Sequence, residues 1–200
     1  MVKNQVQWIR NVSFMEFRQP LIVCDRLDLF HLTGTEMIRL YEMRNDEHIL
    51  RNVSFHNPHR ILVEGASPLA WRVPQVVSNP EVNMWFVRFL VDRASGNVVG
   101  SASFHGPPDD RGMLEIGLGV HEKYWRRGFA REALLGMWQW ASSQPGVEVF
   151  RYTVSPENEP SVALVRSFGF TLVGQQIDET DGPEDIYEMT RSAFAARYVE

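Results

Sequence analysis

The segment from Glu115 to Leu135 constrains the fold of this chain more than any other part of its sequence. Its first half, Glu115-Ile-Gly-Leu-Gly-Val-His121, is typical of a β-strand that contains glycines, and a basic Arg-Arg-Gly turn follows. From Ala130 onward, apolar residues recur with the period of a helix that buries one face. The sequence therefore predicts a strand, a tight turn and an amphipathic helix in direct succession.

The turn between this strand and this helix has the chemistry of an anion-binding site. The helix N-terminus directs its free N–H groups and the positive end of its dipole at the turn, beside Arg126, Arg127 and Arg131. Gly128 allows the backbone to approach a phosphate closely, and Ala130 leaves that approach uncrowded. The segment alone fits two interpretations equally well: a pyrophosphate-binding turn, or an ordinary strand–turn–helix unit with a solvated basic turn.

Two common phosphate-binding motifs do not describe the segment. A Walker loop requires Gly-Lys before Ser or Thr, and no Gly-Lys pair occurs in the chain. A dinucleotide-binding fingerprint requires a third glycine after Gly117 and Gly119, but Glu122 occupies that position. Neither of these nucleotide-binding motifs is therefore predicted.

A second segment, about thirty residues downstream of the first, also combines a strand with a helix. The run Arg151-Tyr-Thr-Val154 is predicted to be a strand. Pro160 suits the first turn of the next helix, because its missing N–H would be unpaired there. Asn158 precedes that helix and can act as a capping or turn residue, while Gly169 is placed to end it.

Together, the two segments resemble the GCN5-related N-acetyltransferases, and within them the ribosomal-protein alanine acetyltransferases. The coenzyme A loop of that family, Gln/Arg-x-x-Gly-x-Gly/Ala, is similar to Trp125-Arg-Arg-Gly128-Phe-Ala130, with Trp125 in place of the leading Gln or Arg. The family's Asn-x-x-Ser/Ala segment, which ends in Gly-Phe, resembles Asn158 to Phe170. The resemblance covers Glu115 to Phe170, and a weaker one extends from Arg26 to Arg191.

The resemblance implies an α/β layered fold in which a mixed, mostly antiparallel central sheet carries helices on both faces. It implies acetyl-CoA as co-substrate, with transfer of the acetyl group to a primary amine of a protein N-terminus or a small molecule by direct attack in a ternary complex. The cofactor-binding residues that it indicates are Leu118, Gly119, Val120, Arg126, Arg127, Gly128, Phe129, Ala130, Arg131 and Asn158.

Two residues are candidates for the proton transfers of this reaction. Glu115 lies on the strand where several relatives carry a carboxylate that handles the acceptor's proton; a structural hydrogen bond or orientation of the acceptor is the alternative. Ser161 is the candidate acid, with a structural role at the helix start as its alternative. Many relatives have a tyrosine seven positions after the Asn, where this chain has Val165. A non-catalytic acyl-CoA-binding module and an unrelated α/β interaction domain are the competing functions.

Composition limits the partners and the compartment that we expect. The 200 residues are 44% hydrophobic, no apolar run approaches the roughly twenty residues of a membrane span, and residues 1–8 lack the apolar core of a secretory signal. The net charge of −5 argues against nucleic-acid binding, and the single cysteine, Cys24, fits a reducing cytoplasm. We expect a cytoplasmic monomer or homodimer that binds neither nucleic acid nor membranes.

The remaining elements complete the expected order along the chain. Residues 1–20 are predicted to be an N-terminal extension and residues 21–200 a single acetyltransferase domain. Four prolines between residues 45 and 80 are expected to break any long helix there. The other predicted elements are a strand at Leu27–His31, a helix from the capping box at Thr33 to about Arg44, a hairpin of Met84–Val91 with Asn97–Phe104, and two final strands at 170–176 and 186–191.

Several polar residues allow more than one interpretation. The acidic stretch Asp178–Asp185, placed between the last two strands, is either a solvated loop or an attractive surface for an ammonium group. His56 and His59 have no third ligand nearby in the sequence, so no metal site is expected. His105 and His121 are interpreted as surface or packing histidines.

Overall fold

A computed structural model describes the architecture of residues 17–65, 67–180 and 182–199. Within them, one sheet has the strand order β1-β2-β3-β4-β5-β6-β8-β7. The strands are β1 (Ile22–Val23), β2 (Leu27–His31), β3 (Arg88–Asp92), β4 (Asn97–Phe104), β5 (Met113–Val120), β6 (Val149–Val154), β7 (Thr171–Asp178) and β8 (Gly182–Thr190). The helices are α1 (Gly34–Met43), α2 (Glu47–Leu50), α3 (Leu69–Ser78), α4 (Phe129–Ser142), α5 (Glu159–Phe168) and α6 (Arg191–Tyr198), with 3₁₀ helices at Pro80–Trp85 and Glu122–Tyr124.

The predicted mixed, mostly antiparallel sheet is confirmed, and its one parallel pair has a limited extent. β5 and β6 run parallel, and their pairing ends where Glu115 faces Arg151. On its other edge, β5 stays paired with β4 up to Val120 opposite Gly100. Since β6 no longer accompanies β5 beyond Glu115, the two strands diverge and leave a gap at the carboxyl end of β5.

The amphipathic helix predicted from the sequence is α4, and it lies against the core. Trp138 is fully buried among aromatic rings of β6, α5 and α6. Leu29 and Cys24 lie so close to Gly136 that a Cβ there would meet the cysteine sulfur at 2.5 Å. The other buried residues of the predicted face are Ala133, Leu134, Met137 and Ala141, whereas Ala130 is half-buried at its edge. This burial of one helical face is what anchors the preceding turn.

The helix predicted after Leu32 is confirmed at both ends. The Thr33 hydroxyl accepts a hydrogen bond from the Glu36 amide, and the Glu36 carboxylate accepts one from the Thr33 amide, which is the capping box. The helix ends at Arg44, whose φ of 50° is left-handed. Its local sequence was therefore sufficient to set both boundaries.

As expected from its four prolines, the region between residues 45 and 80 has only short α-helices among its described residues, α2 with four residues and α3 with ten. The longer helix, α3, spans Leu69–Ser78 and contains Pro74. The missing N–H of a proline costs one intrahelical hydrogen bond, but Leu69, Val73 and Val76 are buried on one face of the helix. Burial of this face offsets the loss of the hydrogen bond.

Other boundaries differ from the predictions because tertiary contacts set them. The strand predicted from Met84 begins at Arg88, because a 3₁₀ helix that Asn79 caps takes up the preceding residues. The short strand β1 and the C-terminal helix α6 were not predicted. Phe194 is the one buried residue of α6, so the helix shows no apolar period.

The N-terminal extension lies partly outside the described residues, because only residues 17–20 of it are covered. Arg18 donates a hydrogen bond to the Glu36 carboxylate at 2.6 Å, and its guanidinium lies over the Phe30 ring. This part of the segment therefore contacts β2 and α1, and the division at residue 20 stays a prediction. No helix within the described ranges is both long and apolar enough to cross a membrane.

Candidate active site

The gap beside β5 exposes backbone groups that no strand pairs. The Glu115 carbonyl and the His121 amide both bond toward β4, so odd-numbered residues of this strand face that neighbour. Because successive residues point to opposite edges, the amides of Leu118 and Val120 face the gap, while that of Gly119 faces β4. The carbonyl of Val120 accepts a hydrogen bond from the Trp125 indole at 2.6 Å. The free edge can bind an extended, amide-bearing ligand arm.

The basic turn closes one end of this gap with a backbone conformation suited to anions. Arg126 and Gly128 both have positive φ, at 59° and 82°. Gly128 is the N-cap of α4 and offers no side chain to the first-turn N–H groups, which also lack intrahelical partners. A Cβ on Gly128 would lie 3.2 Å from Arg26 Nη2. The turn therefore combines free N–H groups with space for a phosphate.

The side chains of the three arginines in and after the turn make different contacts. Arg126 is exposed and its guanidinium has no partner among the described residues, so it is free to bind an anion. Arg127 lies over the Tyr124 ring at 5.4 Å. Arg131 donates to Ser167 Oγ at 2.9 Å and lies over the Phe168 ring, which ties α4 to α5.

The second predicted segment lies beside the first, because β5 and β6 are parallel neighbours. The helix that follows each strand, α4 after β5 and α5 after β6, therefore begins at the same end of the sheet. Asn158 caps α5 by accepting a hydrogen bond from the Ser161 amide at 3.3 Å. Its capping role is thus confirmed, and its amide nitrogen stays available to a ligand. Ser161 is half-buried, and its side chain interacts with the hydroxyl of Tyr152. Burial raises the pKa of Tyr152, and the contact with Ser161 acts in the opposite direction.

Glu115 lies at the point where the gap opens, and its carboxylate has two neighbours. The Thr153 hydroxyl donates a hydrogen bond to Glu115 Oε1 at 2.6 Å. His105 Nδ1 lies 3.5 Å from the same oxygen. The Glu115 side chain is 16% exposed and that of His105 is 44% exposed, so the carboxylate is largely shielded from water while the imidazole stays accessible.

A helix from the region between residues 45 and 80 borders the same cluster. Gln75 of α3 donates to the His105 carbonyl at 3.3 Å. Arg72 on the same helix is buried, and its Nε has no hydrogen-bond partner. Burial lowers the pKa of Arg72 to about 10, while the carboxylate of Glu115 acts in the opposite direction. The buried guanidinium of Arg72 is therefore close enough to the Glu115 carboxylate for the two charges to interact.

Comparison with known proteins identifies the family. The model of the acetyltransferase (GNAT) domain matches residues 26–171, which is most of the chain. The chain belongs to the GNAT family. It is 30% identical over 83 residues to the uncharacterized N-acetyltransferase YjdG of Bacillus subtilis, a match that covers 42% of this chain and 49% of that protein. The chain thus spans about half the length of this relative.

Solved GNAT structures share the fold. The ribosomal-protein-S5-alanine acetyltransferase of Vibrio fischeri superposes with a TM-score of 0.61 at 15% identity, covering 88% of this chain and 99% of the other. The microcin C7 self-immunity acetyltransferase MccE, solved in complex with acetyl-CoA and AMP, superposes with a TM-score of 0.57 at 19% identity, covering 83% and 93%. Membership of this family excludes the interpretation as an unrelated α/β interaction domain.

Two residues of the segments that resemble the family, Val165 and Phe129, have buried side chains. Val165, which stands where many relatives have a tyrosine, is fully buried and cannot reach a ligand. Two hydroxyls at the start of α5 and on β6 contact each other, those of Ser161 and Tyr152, and the sequence did not indicate the second. Phe129, predicted to bind the cofactor, has a buried ring, so only its backbone amide is directed at the turn.

The acidic stretch is a hairpin rather than an open loop. Glu184 and Asp185 lie within β8 and accept hydrogen bonds from Gln176 and Gln175, each at 2.8 Å. Asp185 is buried, so it is not available as an attractive surface. Asp178, at the end of β7, is close enough to His105 for its negative charge to raise the pKa of the histidine.

The histidines of the chain do not form a metal site within the described ranges. No group of three potential ligands is close enough there to hold an ion. His59 stacks instead on His121, with ring centroids 4.1 Å apart, and Tyr124 contacts both rings. The stack joins the proline-rich region to the residues that follow β5. His105 is different, because it is part of the Glu115 cluster.

Proposed function

We propose that this chain is an acetyl-CoA-dependent N-acetyltransferase that modifies a primary amine by direct attack in a ternary complex. The observation that carries the proposal is the gap beside β5 with the Gly128 turn at its end. An extended arm that ends in a pyrophosphate matches this combination of free strand edge and helix N-terminus. Membership of the GNAT family and the acetyl-CoA complex of MccE support the same co-substrate.

In this proposal the cofactor-binding residues divide into two groups. The first-turn amides of α4, from Phe129, Ala130 and Arg131, bind the pyrophosphate together with the Arg126 guanidinium. The backbone amides of Leu118 and Val120 hold the arm, and the Asn158 amide nitrogen contacts it from the start of α5. Fixing the thioester in the gap presents its carbonyl to an amine that enters from the side of Glu115.

Two proton transfers remain to be assigned, one from the acceptor amine and one to the departing thiolate. An alkylammonium acceptor must lose a proton before its nitrogen can attack. The carboxylate of Glu115 stabilises the positive charge that the protein gains when it takes up this proton. The departing thiolate gains a proton, for which Ser161 with its neighbour Tyr152 supplies hydroxyl groups at the opposite wall. Both assignments are proposals about residues that the sequence had already indicated, with Tyr152 added by the structure.

The acceptor is either a protein N-terminus or a small-molecule amine. The acceptor side is bounded by α3, by His105 and by Asp178 at the end of β7, and it carries both acidic and basic groups. We further propose that the protein acts in the cytoplasm as a monomer or a homodimer. Its single cysteine, Cys24, has a pKa that burial raises to about 11, which leaves it a protonated, unreactive thiol.

Thiol release across a panel of amines tests the proposed function. We expect release of coenzyme A with at least one peptide N-terminus, polyamine or small amine. Tight acetyl-CoA binding without turnover on any of them would overturn the enzyme proposal in favour of an acyl-CoA-binding module. The buried valine at position 165 makes that alternative worth testing, because it removes the family's usual acid.

A further inference from the structure

We propose that His105 is the general base of this acetyltransferase and that Glu115 positions it. This inference rests on the proposed function, since it names the group that takes the proton from the acceptor amine. His105 follows β4 directly, and its backbone amide bonds to the Glu115 carbonyl at 2.8 Å. The histidine is thereby held beside the point at which β5 loses its parallel partner.

The contact with Glu115 selects the tautomer that a base requires. His105 Nδ1 lies 3.5 Å from Glu115 Oε1, and the Thr153 hydroxyl donates to the same oxygen at 2.6 Å. A carboxylate stabilises the tautomer in which Nδ1 carries the proton, which leaves the lone pair on Nε2. Thr153 in turn fixes the carboxylate, so the ring is oriented by a second residue rather than by chance rotation.

The free nitrogen lies over Gly117, on the face of β5 that also carries Glu115. A Cβ on Gly117 would lie 3.1 Å from His105 Nε2, so the imidazole occupies the space that any larger residue would need. Gly117 is two positions beyond the last residue of β5 that pairs with β6. The close contact with His105 accounts for a glycine at this position of the strand. Nε2 therefore lies beside the stretch of β5 where pairing with β6 has ended, next to the place proposed for the thioester arm.

The charges around His105 favour a neutral ring that still accepts a proton. Burial lowers the pKa of His105, the Glu115 carboxylate raises it, Arg72 lowers it and Asp178 raises it. These groups lie on β5, α3 and β7. The side chain is 44% exposed, so loss of hydration acts on its inner side, and the net result is a pKa below the ordinary value, which leaves the imidazole unprotonated at neutral pH.

The proposed step balances in protons and bonds. His105 Nε2 takes one proton from the acceptor ammonium and becomes an imidazolium that the Glu115 carboxylate stabilises. The neutral nitrogen forms a bond to the thioester carbonyl carbon, and collapse of the tetrahedral intermediate breaks the carbon–sulfur bond. The second proton leaves the new amide nitrogen as the thiolate becomes a thiol, so amide and thiol are the products.

The test compares the pH profiles of His105→Gln and Glu115→Gln with that of the native enzyme on one acceptor. We expect His105→Gln to lower kcat by about 100-fold and to abolish the acidic limb of the profile. Glu115→Gln should keep that limb and move it to lower pH, because the removed carboxylate raises the pKa of His105. Use of a single acceptor makes the ionisation of the amine common to all three profiles.

Two further variants keep the test independent of folding. His56→Gln changes an exposed histidine remote from Glu115 and should retain native activity. Gly117→Ala should displace the His105 ring by contact and lower kcat, with the KM for acetyl-CoA unchanged. An unaltered kcat and acidic limb in His105→Gln would overturn the inference, as would loss of the limb in Glu115→Gln alone, which would make Glu115 the direct base. Absence of turnover by the native protein would instead refute the proposed function.

Discussion

The carboxylate of Glu132, on α4, accepts hydrogen bonds from both the backbone and the side chain of Arg26, although the two residues are 106 positions apart. Its Oε1 accepts from the Arg26 amide at 2.6 Å, and its Oε2 accepts from the Arg26 Nε at 2.8 Å. Arg26 Nη1 also donates to the Arg127 carbonyl at 2.8 Å. The turn before β2 therefore holds the first turn of α4 and the basic turn in one arrangement, before any ligand binds.

Replacement of Glu132 by alanine should weaken both folding and acetyl-CoA binding. The amides of Arg26 and Leu27 would lose their acceptor, which costs about 1–2 kcal/mol of unfolding free energy. Denaturant titration and calorimetric binding measure the two effects, with Glu42→Ala, at an exposed site on α1, as control. Native acetyl-CoA affinity in Glu132→Ala would show that the pair has no part in shaping the turn.

Replacement of Gly128 by alanine should reduce acetyl-CoA affinity beyond its effect on stability. The φ of 82° strains any other residue by about 1–2 kcal/mol, and the new Cβ would crowd Arg26 Nη2. Gly146→Ala is the matched control, because its φ of 79° carries the same strain while no atom lies within 4 Å of its Cβ position. Equal losses of affinity in the two variants would contradict a ligand-binding role for Gly128.

Substitution of Asn158 separates helix capping from ligand contact. Asn158→Ala removes the acceptor for the Ser161 amide and should cost about 1 kcal/mol of stability. Asn158→Ser keeps an N-cap oxygen but lacks the amide donor, so it should preserve the melting temperature and still lower acetyl-CoA affinity. If the serine variant binds acetyl-CoA as the native chain does, the residue acts as a cap alone.

Two glycines on the paired strands β4 and β5, Gly100 and Gly119, should respond differently to alanine. A Cβ on Gly100 would lie 2.2 Å from the Gly119 carbonyl oxygen, so Gly100→Ala should lose more than about 2 kcal/mol of stability. A Cβ on Gly119 would meet nothing within 4 Å, so Gly119→Ala should fold normally. Because its methyl group would enter the open face beside Glu115, we expect a several-fold lower kcat in thiol-release assays.

Stability should fall in mild acid because of His31. Burial, with a further effect of Arg88, lowers the pKa of His31 to about 3, and its ring nitrogens lie 3.2 Å from the Gln19 amide and 2.9 Å from the Asn83 carbonyl. In the unfolded chain His31 takes up a proton near pH 6.5, whereas in the folded chain it stays neutral down to about pH 3. The contribution of neutral His31 to the free energy of unfolding is therefore complete above pH 6.5 and is lost as the pH falls toward 3. Denaturant titrations at pH 7 and pH 5 should show a smaller pH dependence for His31→Gln.

The elements that the sequence predicted well are those whose signals are local. α1 carries a complete capping box, and α4 shows five buried residues at helical spacing, so propensity and period were sufficient. The sequence did not give the position of α3, because Pro74 removes one hydrogen bond of this helix and the burial of Val73 and Val76 that offsets the loss depends on the rest of the molecule. In α6 the single buried Phe194 left no period to detect.

The sequence by itself determined the family, the strand–turn–helix unit at Gly128 and the strand that carries Glu115, because each is a run of neighbouring residues with a local signal. The tertiary structure decided which groups meet around that strand. His105, Thr153 and Arg72 reach Glu115 from three other parts of the chain, and no spacing pattern relates them. Contacts of this kind follow from how strands are ordered and helices packed, so this cluster of side chains became visible only in the folded molecule.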